Sequence, residues 1–180
     1  MNSGLIATRY AKALLRFAYN NKSSANVYRE MKVMSGSFEN THLLMLMLED
    51  PVINSEIKKK VLLTSAGKNV SQTTSRFIDL VLKNKREVFL QSMALSYIDI
   101  YRKKNNIHKT IITTASAIDH TTEMRLIALI ESEIKGTVEF EKKIDKSILG
   151  GFVIEVDFKR WDGSLSNQLK SIKEKLNQWN

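Results

Sequence analysis

At Asn106 the hydrophobic period of the chain changes, and one regular layer cannot accommodate both parts. Up to residue 105, apolar residues recur at three- and four-residue intervals, the spacing that keeps them on one face of a helix. From His108 the sequence reads "HKTIITTAS", rich in β-branched residues that favour strands. The switch predicts an α+β protein, with an N-terminal six-helix bundle over residues 1–105 followed by a small α/β C-terminal domain over residues 106–180.

The first helix is expected from Leu5 to about Asn20. Its larger apolar residues, Ile6, Tyr10, Leu14 and Phe17, are flanked by Ala7, Ala11, Ala13 and Ala18. Alanines leave a shallow surface that another helix can approach closely, and packing inside the bundle accounts for them equally. A second helix carries Val27, Met31, Met34 and Phe38. The run "THLLMLMLEDP" reads as a short helix, buried on most sides and ended by Pro51, its methionines filling core gaps.

After Pro51, Asn54 or Ser55 can cap a helix bearing Ile57, Val61 and Leu62, and Gly67 suits a left-handed residue at its end. Ser71 opens a fifth helix with Phe77, Leu80 and Val81 on its apolar side. "KNKR" at 83–86 interrupts the pattern before a sixth helix with Phe89, Met93, Tyr97, Ile100 and Tyr101. In the second part, a strand precedes a helix capped by Asp119 that holds Met124, Ile127, Ile130 and Ile134 and is closed by Gly136. "TVEFEKKI" and "GFVIEV" are two further strands, the latter with Phe152, Ile154 and Val156 on one face. Leu165, Leu169, Ile172 and Leu176 form the stripe of a final amphipathic helix.

Charge divides the chain at the same place. Residues 1–107 hold 17 Lys/Arg against 8 Asp/Glu, whereas 108–180 hold 11 of each, so the net charge of +9 belongs to the first part. That excess fits an acidic partner, whether nucleic acid, anionic lipid or a protein face, and a solvated Lys-rich surface explains it too. No apolar run approaches the roughly 20 residues needed to span a bilayer. The opening "MNSGLIATRYAKALLRFAYNN" has neither a basic stretch before an unbroken apolar core nor a small-residue cleavage site, so a secretory signal is not expected. With no cysteine, disulfides, thiolate nucleophiles and thiolate zinc sites are excluded.

Catalytic patterns are sparse. His42, His108 and His120 are too scattered for helical zinc-site spacings, and no metal site or cofactor is expected. Glu131 and Glu133 stand two apart on a helix and so diverge. Asp145, Asp157 and Asp162 can meet at strand ends, although turn and cap roles are the ordinary use of aspartate there. Gly150-Gly151 lacks the three spaced glycines of a dinucleotide loop and precedes a strand instead of a helix. Asp162-Gly163-Ser164 reads as a turn whose side-chain oxygens cap the last helix. Basic residues spread over many helices, without the spaced aromatics of RNA-binding sheets, leave a basic nucleic-acid-binding module as the alternative function.

Four strings carry a family resemblance: "ATRYAKALLRFA", "LEDPVINSEIKKKVLL", "RFIDLVLKNKR" and, most specific, "KIDKSILGGFVIEVDFKRWDGSLSNQLKSIKEKL". Together they span nearly the whole chain, which resembles the delta-subunit family of bacterial F-type ATP synthases, homologues of the mitochondrial oligomycin-sensitivity-conferring protein. Two places depart from the family pattern. The hairpin reads Asp157-Phe158 where Gly-Asp is common, and Ser166-Asn167-Gln168 stands where an arginine often follows "DGS".

The resemblance implies a non-catalytic peripheral-stalk (stator) subunit, one copy per complex, on the cytoplasmic face of the bacterial plasma membrane. It implies that the bundle binds the N-terminal helices of the alpha subunits of the catalytic head, in a groove between its first and fifth helices. The C-terminal domain is expected to hold the b-subunit stalk. For the groove the candidates are Ala7, Tyr10, Ala11 and Leu14 with Phe77, Leu80 and Val81, some of which must be bundle core. For the structural corner of the C-terminal domain they are Gly150, Gly151, Asp162, Gly163 and Ser164.

Overall fold

The computed structural model describes residues 3–134, 136–157 and 159–169. The chain divides into two compact units, between Arg102 and Lys103. The first is built from α1 (Ser3–Asn20), α2 (Ser24–Asn40), α3 (His42–Glu49), α4 (Ser55–Ala66), α5 (Gln72–Lys83) and α6 (Leu90–Asn105), with a 3-10 turn at Glu87–Phe89 before α6. Among the described residues no helix is long and apolar enough to cross a membrane.

α1 distributes its bulk in an unexpected way. Its buried residues are Ala7, Ala11, Leu14, Leu15 and Ala18, spaced so that the small side chains face inward, while Ile6 and Tyr10 are half-buried and Phe17 is 38% exposed. Alanine at the contact lets helix axes approach closely. α1 thereby packs tightly on α2 and α5, and its aromatic residues are left toward the surface. In α2 the four residues expected inward, Val27, Met31, Met34 and Phe38, are all buried.

α3 is less buried than its composition implies: only Leu44 and Leu48 are enclosed, whereas Leu43 and Leu46 are exposed. Eight residues make just over two turns, and the contacts α3 makes with α2 and with the 3-10 turn cover one side. α4 also differs from its reading. Leu62 and Ala66 point inward, Ile57 and Val61 are exposed, and Lys58 is 4% exposed. The Lys58 ammonium donates to the Leu48 carbonyl at 2.7 Å and pairs with Glu87 at 2.9 Å, satisfying an orphan carbonyl in the last turn of α3. Asn54 accepts from the Glu56 amide as the cap of α4. Gly67 ends α4 with φ 125° and ψ −178°, a glycine conformation outside the left-handed helical one.

Ser71 caps α5 by accepting from the Thr74 amide, and buried Glu30 reaches across from α2. Its carboxylate accepts from the Ser71 amide at 2.7 Å and the Ser71 hydroxyl at 2.8 Å, placing a negative charge at a helix N-terminus. Asn84 ends α5, and the KNKR break places Lys85 at φ 53°.

The second unit holds β1 (Ile107–Thr114), α7 (His120–Glu133), β2 (Thr137–Ile144), a 3-10 turn at Lys146–Ile148, β3 (Phe152–Val156) and β4 (Lys159–Asp162). The sheet order is β2-β1-β3-β4, with β1 parallel to β2 and the other pairs antiparallel. Parallel pairing needs a long crossover, which α7 supplies. Asp119 caps α7 through the Thr122 amide. Ile112, Val138, Ile154 and Val156 form a core with Ile130 of α7, supported by Leu126, Ile134 and Phe140. Leu126 takes the place expected for Met124, which is exposed.

β4 gives no signal of its own in the sequence and is implied only by the hairpin of the family resemblance. Its four residues, KRWD, are all exposed and carry no period, so only pairing with β3 makes them a strand. In β3 both faces are engaged: Ile154 and Val156 enter the α7 core while Val153 is buried on the other face and Phe152 is part-exposed. Residues 165–169 begin a helix, and the Ile172 and Leu176 part of the expected stripe lies outside the described residues.

Candidate helix-binding groove and glycine corner

Between α1 and α5 lies an open groove of about 340 Å3 lined by Tyr10, Ala13, Leu14, Phe17, Arg76, Phe77 and Leu80. Buried Leu14 and Phe77 form its floor, and Tyr10, Phe17 and Leu80 form its apolar walls, Leu80 being 48% exposed. The Tyr10 and Phe77 rings meet edge to face, with centroids 6.4 Å apart and planes at 66°. Asn84 donates to the Tyr10 hydroxyl at 3.1 Å, and the Arg86 guanidinium stands 5.5 Å from the Tyr10 ring centroid. These contacts hold the tyrosine in place before any ligand arrives, so little side-chain ordering remains for binding.

The structure separates the seven expected groove residues by burial. Tyr10, Leu14, Phe77 and Leu80 line the groove. Ala7, Ala11 and Val81 are enclosed in the bundle, Ala11 at 0% exposure, and offer no surface to a partner. Their role is to let α1 and α5 lie close enough for the larger residues to make a groove. Ala13, Phe17 and Arg76 were absent from the expected set. Phe17 was readable, standing three residues from Leu14 and seven from Tyr10, and Arg76 sits beside Phe77 and four residues before Leu80.

The corner of the second unit is built from backbone proximity. Gly151 has φ 75°, and a Cβ there would lie 2.3 Å from the Gly163 carbonyl oxygen; one on Gly150 would lie 2.6 Å from Leu165 Cδ1. Chain crossing is this close because the Gly163 amide donates to the Phe152 carbonyl and the Leu165 amide to the Gly150 carbonyl, both at 3.0 Å. Asp162 Oδ1 accepts from the Ser164 amide at 3.1 Å and its hydroxyl at 2.6 Å, while Ser164 Oγ accepts from the Asn167 amide at 3.2 Å. The Ser164 hydroxyl and amide, the first cause, with help from Arg160, hold the Asp162 carboxyl below its usual value.

The other strand-end aspartates are committed in the same way. Asp145 accepts from the Ser147 amide at 2.9 Å, and its carboxyl is lowered by Ser147. Asp157, at φ 51° in the β3–β4 hairpin, pairs with His108 Nδ1 at 2.7 Å and accepts from the Lys109 amide. Asp145 and Asp162 thus complete their own turns, while Asp157 ties the β3–β4 hairpin to β1, and the three carboxylates do not converge on one site. Among the described residues no group of three or more His, Asp or Glu is placed to hold a metal ion.

Fold and site together define a two-unit α+β protein with an open, largely apolar groove between two helices of its first unit. The sequence model of the ATP synthase delta (OSCP) subunit family matches residues 6–176, and the chain belongs to that family. It is 41% identical to ATP synthase subunit delta of Phocaeicola vulgatus over 177 residues, covering 98% of this chain and 96% of that one. It is 35% identical to the same subunit of Bacteroides fragilis over 178 residues, with 98% and 96% covered. A chain of the Toxoplasma gondii mitochondrial ATP synthase hexamer shares the fold, with TM-score 0.70 at 18% identity over 94% of this chain and 96% of that chain.

Proposed function

We propose that this delta-family chain is a non-catalytic stator subunit that ties the catalytic head of the ATP synthase to its membrane sector, so that ion flow through the rotor drives ATP synthesis. The first unit would bind the amphipathic N-terminal helix of an alpha subunit, and the second would hold the b-subunit stalk. A single copy would sit at the cytoplasmic face of the membrane, peripheral to it.

The α1–α5 groove supports this role: it is open, apolar, pre-ordered at Tyr10 and bounded by two helices. An amphipathic helix laid there inserts residues at i, i+3, i+4 and i+7 between the walls. Titrating the full chain with a synthetic alpha N-terminal peptide tests it by calorimetry. Leu80→Ala removes an exposed wall residue, and the expected loss is about 1–3 kcal/mol of binding energy. A natively folded chain that ignores the peptide sinks the groove reading.

A further inference from the structure

The groove has a charged border that the apolar contacts leave unused. α1 carries Arg9, Lys12 and Arg16, all exposed, and no acidic residue. Lys12 and Arg16 are four residues apart and so share one side of the helix. They line a second hollow of about 430 Å3 with Ala13, Phe17 and Asn20, and Ala13 and Phe17 also line the groove. Basic hollow and apolar groove are therefore continuous across the edge of α1.

The opposite rim, on α5, carries Arg76 within the groove lining and Lys83 at the helix end. The acidic residue of α5, Asp79, is already engaged by Lys59 at 2.6 Å. Among the described residues no ion pair involves Lys12, Arg16 or Arg76. A helix lying in the groove meets unneutralised positive charge along both of its flanks.

We infer that Lys12 and Arg16 on one rim and Arg76 on the other are specificity determinants that select an amphipathic helix with carboxylates on both sides of its apolar stripe. The identity of that helix as the alpha N-terminus rests on the function proposed above. Apolar contact supplies most of the affinity, while the rim charges set orientation and encounter rate. Arginine suits this position because its guanidinium takes a carboxylate in a bidentate grip. Charge on both flanks also disfavours a helix whose border residues are basic.

The test uses the full-length chain and two alpha N-terminal peptides, the natural one and one with every Asp and Glu replaced by Asn and Gln. Affinity and on-rate are read at low and high salt, on wild type, Arg16→Gln/Arg76→Gln and the charge-retaining Arg16→Lys/Arg76→Lys. The expected result is about tenfold weaker binding of the natural peptide by the Gln variant at low salt, mostly in on-rate, with a flattened salt dependence. The Lys variant recovers most of the loss, and the amide peptide binds wild type and Gln variant alike. Equal wild-type affinity for both peptides, or binding indifferent to salt, overturns the rim assignment while leaving the groove reading intact. No binding of the natural peptide at any salt overturns both. Displacement of that peptide at physiological salt by a single-stranded RNA, from wild type and not from the Gln variant, also overturns it, because the rim is then a polyanion site.

Discussion

The α1–α5 groove and the glycine corner use small residues for opposite ends. In the bundle, Ala7 and Ala11 vanish into the core, so that Tyr10, Phe17 and Leu80 remain at the surface as walls. In the second unit, Gly150 and Gly151 let two backbone segments touch, and the side chains that look reactive in the sequence, Asp162 and Ser164, are consumed by hydrogen bonds within the second of those segments. Small side chains open a surface in one region and close one in the other. The difference is whether the neighbouring groups are apolar, and so left over, or polar, and so satisfied locally.

Substitutions that add volume should break the two regions differently. The largest effect is expected for Gly151→Val, which places a branched side chain against the Gly163 carbonyl at a positive φ. A loss on the order of 3 kcal/mol is expected, read as a lower melting temperature and faster amide exchange in β3 and β4. Ala11→Leu comes next. Overpacking the α1 contact should cost about 2 kcal/mol and also weaken peptide binding, since α1 must shift relative to α5. Leu80→Ala sharpens the contrast, with stability changed by no more than about 0.5 kcal/mol while peptide binding falls. Equal stability loss for Ala11→Leu and Leu80→Ala would erase the distinction between bundle core and groove wall.

The smallest effect concerns pH. Folding lowers the Asp162 carboxyl below its ordinary 3.8, so the carboxylate stabilises the corner above that pH and the contribution is lost as pH falls through the lower folded value. Asp162→Asn should therefore melt slightly below wild type at pH 7, and the gap should close in acid. A gap that persists unchanged at pH 2 contradicts the assignment of Asp162 as an ionised turn acceptor.

Much of this was legible before folding. Hydrophobic period marked the six helices and the switch to strands, and the caps Asn54, Ser71 and Asp119 all accept the hydrogen bonds their positions imply. The groove was only half legible. Tyr10, Leu14, Phe77 and Leu80 line it, but their neighbours Ala7, Ala11 and Val81 share the same stripes and are buried. A helical stripe is wider than the contact line between two helices, so periodicity cannot separate core from groove. Likewise "LLMLML" is apolar all round, and only the one-sided packing of α3 decides that Leu43 and Leu46 stay exposed.

By itself, the sequence determined what local forces can encode: helix starts and stops, the change of period at residue 106, the charge excess of the first part, and strings specific enough to place the chain in its family. Tertiary structure decided what depends on residues distant in sequence. It buried Lys58 against a carbonyl and a carboxylate from other elements, turned the exposed KRWD segment into an edge strand, and set Ala7, Ala11 and Ala18 of α1 inward while Ala13 and Phe17 face outward. Local propensity acts within a turn or two of the chain, whereas burial is settled by which surfaces meet.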